Sequence, residues 1–464
     1  MDIVIILLAL VLLMAAAYKG ASVILFAPLA ALLAVALTNP ALVLPVYSGV
    51  FMERMAGFVK LYFPLFLLGA VFGKFMEISG FARSIIQAGL RFLGPAHAIP
   101  AIVLVCAILT YGGVSLFVVA FAVYPFGAEL FRASNLPKRL LPATIALGAF
   151  TFTMDALPGS PQIQNIIPTS FFGTTAWAAP VLGVIGSVFL LASGIAYLEW
   201  RRRGAARTGE GYGVGHTNEP AIAQAVVAAH PLIALTPLLI VGLLNLWLSG
   251  WLPARYGVQF DLAAAGFAGA PALEMSRLTA IWSVECSLLA AIVFVSFWCA
   301  KDGLTALLPP INTAIGGAML AALNTASEYG FGAVIASLPG FRAVSQFLAA
   351  TVSDPLVNVA VTTNVLAGIT GSASGGMSIA LAAMASTYMR QAAAAGIPPE
   401  VLHRIAAMAS GGMDTLPHNG AIITLLFITG LTHRQAYRDI FALTLLKTSV
   451  TFIVIAAYYL FGVV

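Results

Sequence analysis

Residues 154–165 read MDALPGSPQIQN: a lone acid, two prolines and several amides inside a strongly apolar region. Proline lacks an amide donor and collides with the preceding helical turn, and Gly159 relaxes the backbone beside it. The stretch therefore interrupts a helix. Its opening letters return as MDTLPHNGAIIT at residues 413–424, again framed by apolar sequence. Any reading of the fold has to account for both copies.

Composition supplies the setting. The chain has 464 residues, 61% hydrophobic and only 8% charged, with a mean hydropathy of +0.99. That is too little charge to coat a large soluble domain, so the class is a polytopic, all-α membrane protein. The first run, Ile3–Ala17, follows Asp2, lacks a basic leader and precedes many similar runs, and reads as a retained span rather than a cleaved signal. Cys106, Cys286 and Cys299 are scattered, with neither disulfide nor metal spacing. The net charge of +5 comes without a long basic run, which fits orientation in a membrane and not nucleic-acid binding.

Apolar runs near 3–18, 22–38, 57–78, 177–198, 229–249, 278–298, 304–325 and 441–462 are each long enough to cross hydrocarbon. Four further regions, 98–131, 140–175, 352–389 and 402–431, are apolar but broken. The most polar segment, 199–219, has the glycines and charges of a mobile linker. The expected organisation is a first repeat over 1–198, a cytoplasmic linker over 199–228 and a second repeat over 229–464. The repeats match in order, Gly112 with Gly375, Leu141 with Leu402 and Asp155 with Asp414, at offsets of 263, 261 and 259 residues. Reading 98–131 and 352–389 as re-entrant hairpins, and 140–175 and 402–431 as discontinuous helices, gives about five spans per repeat. An odd number inverts the second repeat against the first. With the linker inside, the basic residues divide fourteen to seven in favour of the cytoplasm, Arg404 being counted with the outer group.

An unwound segment at membrane depth needs protein, water or ligand to satisfy its backbone. Inverted repeats with broken helices place such segments around a central substrate site. The first break offers Ser160, Gln162 and Asn165, and the second offers Asn419 and His418. The hairpin tips offer Gly112, Gly113 and Ser115 on one side and Ser374, Gly375, Gly376 and Ser378 on the other, as seats for an anion. Asn364 lies upstream of the second tip. An ionised carboxylate without a partner is costly in a membrane, and protonation removes that cost. Asp155, Asp414 and Glu285 are therefore coupling candidates, with His418 as a relay. Ser353, Asp354 and Pro355 have the pattern of a helix start, and Glu77 and Glu328 read as interfacial caps or dimer contacts.

The stretches TYGGVSLFVVAFAVYP (110–125), TFTMDALPGSPQIQNIIPT (151–169), GSASGGMSIA (371–380) and SGGMDTLPHNGAI (410–422) resemble the gluconate permease family of the ion transporter superfamily, and the resemblance runs nearly the whole chain. It implies proton-coupled import of a small hydroxylated monocarboxylate, gluconate or 3-hydroxybutyrate being the substrate class, across the bacterial inner membrane. It also implies a homodimer with a scaffold part and an elevator-like transport part. No cofactor, metal or nucleic acid is expected. The tips read TYGGVS and SASGGMS and lack the Ser-Asn-Thr triplets of the superfamily's sodium-dependent carriers, which favours the proton, with sodium as the alternative ion. An embedded enzyme or a channel are the other classes considered.

Overall fold

The computed structural model describes all residues except 1, 19–20, 94–96, 115, 217, 220–228, 268–271, 300–307, 342–351, 353 and 418. The fold is all-α apart from a two-residue ribbon that pairs Gln259 with Glu274. The first half begins with α1 (Asp2–Tyr18), α2 (Val23–Thr38) and the short α3 (Val43–Val46), which leads through a π-turn into α4 (Glu53–Ile78). Then follow α5 (Phe81–Leu93), a hairpin of α6 (Ala98–Tyr111) and α7 (Leu116–Ala133), a helix broken into α8 (Leu141–Ala149), α9 (Phe152–Asp155) and α10 (Ile163–Phe172), and α11 (Pro180–Arg207). The second half repeats the sequence of elements. It has α12 (Pro231–Tyr256), α13 (Met275–Cys299) and α14 (Leu308–Ser337), a hairpin of α15 (Pro355–Thr370) and α16 (Ala373–Ala394), the broken α17 (Pro399–Ser410) and α18 (Gly420–Thr429), and α19 (His433–Phe461).

Packing follows the same correspondence. The pair α1 and α2 mirrors the pair α12 and α13; α4 lies on α13 as α14 lies on α2, and α4 and α14 run against each other where the halves meet. This flanking layer is joined by small residues and aromatics, for instance Ala31 and Leu13 with Phe331. The hairpins and broken helices share the larger core, in which Ile102, Leu147, Ile166, Met377 and Leu402 are fully or almost fully buried. Large apolar residues such as Leu239, Leu243, Trp247, Phe297 and Phe461 face outward. Hydrocarbon is the solvent that suits such a surface.

Three expectations change. Residues 199–207 belong to α11 and are not linker, because the alanines, arginines and single Glu199 of that segment are good helix formers. The segment that follows is tied down: Arg139 forks onto Glu210 at 2.6 and 2.7 Å, Tyr212 N–H donates to Asn135 Oδ1 at 3.0 Å, and Tyr212 Oη donates to Glu219 at 3.0 Å. The run read as 304–325 is helical from Leu308 to Ser337, twelve residues further than its apolar stretch, and so carries Glu328 inward. An amphipathic helix, α5, lies between α4 and the first hairpin, where no span was expected. The helix start at 353–355 takes the expected form: Asp354 accepts from Val357 N–H at 2.8 Å, with Pro355 as the first helical residue, while Ser353 lies outside the described residues.

Candidate functional site

The two breaks are built alike. Each runs from a helix that ends before the Met-Asp phrase, through a non-helical turn at Pro158 or Pro417, into a ten-residue helix, α10 or α18. Each short helix is closed by a left-handed glycine, Gly173 or Gly430, both at φ 65°. Each break is also stapled to the tip of its own hairpin. Gln162 Nε2 donates to Thr110 O at 2.8 Å and to Val114 O at 3.3 Å, and Tyr111 Oη donates to Pro158 O at 2.8 Å. On the other side Asn419 Nδ2 donates to Gly371 O at 2.6 Å. Asn419 also caps α18, its Oδ1 accepting from Ala421 N–H and Ile422 N–H.

Between the breaks the repeat-related acids meet. Lys447 of α19 donates to Asp414 Oδ1 at 3.0 Å and to Phe150 O at 2.8 Å, and its Nζ stands 3.9 Å from Asp155 Oδ2. All three side chains are buried. Glycine makes the approach possible. A side chain at Gly411 would collide with Asp155 Oδ2, and one at Gly412 with Asn364 Oδ1. Arg404, fully buried, lies on the other side of Asp155. Its guanidinium donates to Ala178 O at 2.7 and 3.1 Å, to Asp155 O at 3.2 Å and to Asn165 Oδ1 at 2.9 Å. His403 completes this edge, its Nδ1 accepting from Thr174 Oγ1 at 2.6 Å and its Nε2 donating to Asn165 Oδ1 at 3.3 Å. The set holds two acids and two cations, the balance a buried cluster requires.

This arrangement corrects several expectations. Asp155 and Asp414 are not carboxylates without a partner, since Lys447 serves both. Arg404 belongs to the interior and not to an outer interface, because four hydrogen bonds to three acceptors, two carbonyls and one amide oxygen, replace the water its guanidinium loses. Ser160 and Asn165 spend their polar atoms within the protein: Ser160 Oγ donates to Thr153 O at 2.6 Å, and Asn165 Nδ2 donates to Ser160 O and Ala176 O at 2.8 Å each while its Oδ1 serves Arg404 and His403. At the first hairpin tip the two glycines meet apolar side chains. Gly112 packs against Leu238, and Gly113, at φ +96°, against Leu288, Pro161 and Phe72. Glu285 is half-buried on α13, and no hydrogen bond or ion pair among the described residues joins it to the acid cluster. Ser115 and His418 lie outside the described residues.

The second hairpin differs. Gly376 lets α16 touch the backbone of α15 at Ala367, and Gly375 lies against the Glu328 carboxylate of α14. Ser374 pairs with Thr325 at 3.4 Å. Ser378 Oγ, together with Asn358 Nδ2, Thr363 Oγ1 and Asn364 Oδ1 of α15, is buried with no hydrogen-bond partner among the described residues. Unspent buried polarity of this kind is uncommon in a folded chain; most of it here is on the second hairpin, with Thr110, Gln164 and Trp177 as the cases in the first half. Glu77, by contrast, is exposed and paired with Lys74 at 2.7 Å, whereas Glu328 is buried.

Lys447, Arg404 and His403 escaped the sequence reading. A single lysine in the apolar run LTLLKTSVTF is the signal that was there to be used, since a membrane-depth cation calls for an acid partner.

No family model matches the chain. Over 472 aligned residues it is 56% identical to the uncharacterized transporter YxjC of Bacillus subtilis (strain 168), the alignment covering 100% of each chain. Its fold is similar to the crystal structure of the YdaH transporter of Alcanivorax borkumensis, described there as having an unusual topology. The TM-score is 0.55 over 89% of this chain and 88% of that one, at 13% identity.

Proposed function

The chain belongs to the same family of membrane transporters as YxjC, and from that premise we propose that it is a proton-coupled symporter that imports a small hydroxylated monocarboxylate. The observation that carries this reading is the meeting of two sequence-related helix breaks at one buried lysine, which with Arg404 balances the two acids Asp155 and Asp414. A charge-balanced interior accepts an anion readily when a cation arrives with it, and a proton taken up by one of the acids supplies that charge. The unspent polar atoms of the second hairpin suit the hydroxyl and carboxylate groups of such a substrate. The resemblance to gluconate permeases supports 3-hydroxybutyrate or gluconate as the substrate class.

The transport part consists of the two hairpins and the broken helices, stapled together by Gln162, Tyr111 and Asn419. Helices α1, α2, α4 and α12–α14 form the scaffold, in a homodimer whose inner-membrane orientation places residues 208–219 in the cytoplasm. Elevator-like movement of the first part along the second supplies alternating access. Proteoliposome uptake tests the reading. With an inward proton gradient, D-3-hydroxybutyrate or gluconate accumulates, accumulation survives replacement of sodium, and a protonophore abolishes it. Concentrative uptake that persists without a proton gradient, or that needs sodium, overturns the proton coupling.

A further inference from the structure

The one buried acid left without a cation among the described residues of this region is Glu328, 4% exposed on α14. Its carboxylate lies directly against Gly375, in the first turn of α16. Ser372 is the N-cap of the 22-residue α16, and its Oγ accepts from Gly375 N–H at 3.1 Å. The carboxylate therefore sits on the first turn of a long helix, where backbone donors and the helix dipole favour an anion. One turn further along the face that carries Gly375, Ser378 Oγ is wholly buried and unpartnered. Around Glu328 the described contacts of the same helix stretch are uncharged. Its neighbours in sequence face Met55 of α4 through Ser327, Phe58 of α4 through Tyr329, Phe51 through Gly330 and Ile379 of α16 through Gly332. The buried charges of the breaks, Asp155, Asp414, Lys447 and Arg404, are engaged with one another. Glu328 also lies across the boundary between α14 and the second hairpin, so a moving hairpin must break this contact.

We propose that the first turn of α16 is the seat of the substrate carboxylate, and that Glu328 occupies it as a tethered competitor until a proton from solvent binds its carboxylate. Protonated Glu328 loses its attraction to the helix N-terminus and yields to the incoming anion. The seat then carries one negative charge before and after the exchange, and anion and proton enter together. A shared anion seat gives the symport proposed above its coupling residue, on which reading this inference rests.

The test is binding of labelled D-3-hydroxybutyrate to the purified protein in nanodiscs across a pH series. Wild type should bind about 10-fold more weakly for each unit of rising pH, the slope of one linked proton. Glu328→Gln should bind with no such slope, at the affinity wild type reaches only in acid, and should lose proton-driven accumulation in proteoliposomes. Glu328→Asp keeps the carboxylate on an arm one methylene shorter, so it should compete less well for the seat and bind more tightly than wild type at high pH while still losing affinity as pH rises, a check that does not depend on how well Glu328→Gln folds. A slope that survives in Glu328→Gln but vanishes in Asp155→Asn overturns this inference and leaves the symport reading standing, as does unchanged affinity in Glu328→Asp. Wild type that shows no slope, or binds neither D-3-hydroxybutyrate nor gluconate, overturns both.

Discussion

Lys447 has three buried acceptors within reach, and losing one is not equivalent to losing another. Asp414 is hydrogen-bonded at 3.0 Å and Asp155 stands off at 3.9 Å. Removing one charge of a buried pair strands the other, at about 3–5 kcal/mol, whereas replacing the pair by apolar groups costs far less. Asp414→Asn should therefore lower thermal stability in detergent markedly, Asp155→Asn less so, and Asp414→Leu with Lys447→Met should recover most of the loss. Additive losses in that double variant would remove the pairing from the account. Both acids were legible in the sequence because a repeated phrase marks them. Their lysine was not, because nothing in the other half repeats it and its partners are distant along the chain. Ser160 and Asn165 were legible as polar residues in a break, but their partners were not: a side chain that binds its own turn and one that binds a ligand look the same in one dimension.

Two glycines at the scale of the helix separate close packing from open surface. A methyl group at Gly376 would overlap the Ala367 backbone, while one at Gly204 of α11 meets nothing within 4 Å. Gly376→Ala should push α16 off α15 and destabilise the hairpin by about 1–3 kcal/mol, read as faster amide exchange in 355–394. Gly204→Ala should leave exchange unchanged or slightly slower, in line with alanine's helix preference. Equal behaviour of the two variants would contradict the tight hairpin. Asn419 gives a second check on an element. Asn419→Ala removes the α18 cap and the staple to Gly371, so at least about 1 kcal/mol should be lost, with exchange rising in residues 420–424 first. The element order was readable from proline, glycine and apolar runs. The overlong α14 was not, since Thr325, Ser327 and Glu328 look like a span's end and are in fact buried, Thr325 and Glu328 against the second hairpin and Ser327 against α4.

The two halves and the connecting segment form one body through the polar clasp on the linker side. Arg139 joins Glu210 to Asp439 of α19 at 3.1 Å, Arg201 reaches Asp439 at 2.5 Å, and Arg132 and Lys138 both pair with Glu219. The Arg139 fork holds the Glu210 carboxyl below its ordinary value of 4.5. A carboxyl depressed in the folded state adds stability that is present above its unfolded pKa and is lost as pH falls through the folded one. Acidification below about 4.5 should therefore loosen residues 208–219, visible as pepsin cleavage there. Glu210→Gln should weaken the same hold already at neutral pH; an unaltered acid profile in that variant would contradict the clasp. Transport itself is most directly tested by trapping a pH-sensitive dye inside sodium-free proteoliposomes and adding D-3-hydroxybutyrate or gluconate outside. Coupled entry of proton and anion predicts lumenal acidification that starts with the substrate, matches its uptake at about one proton per anion, and disappears in Glu328→Gln. Substrate uptake with no proton movement would contradict it.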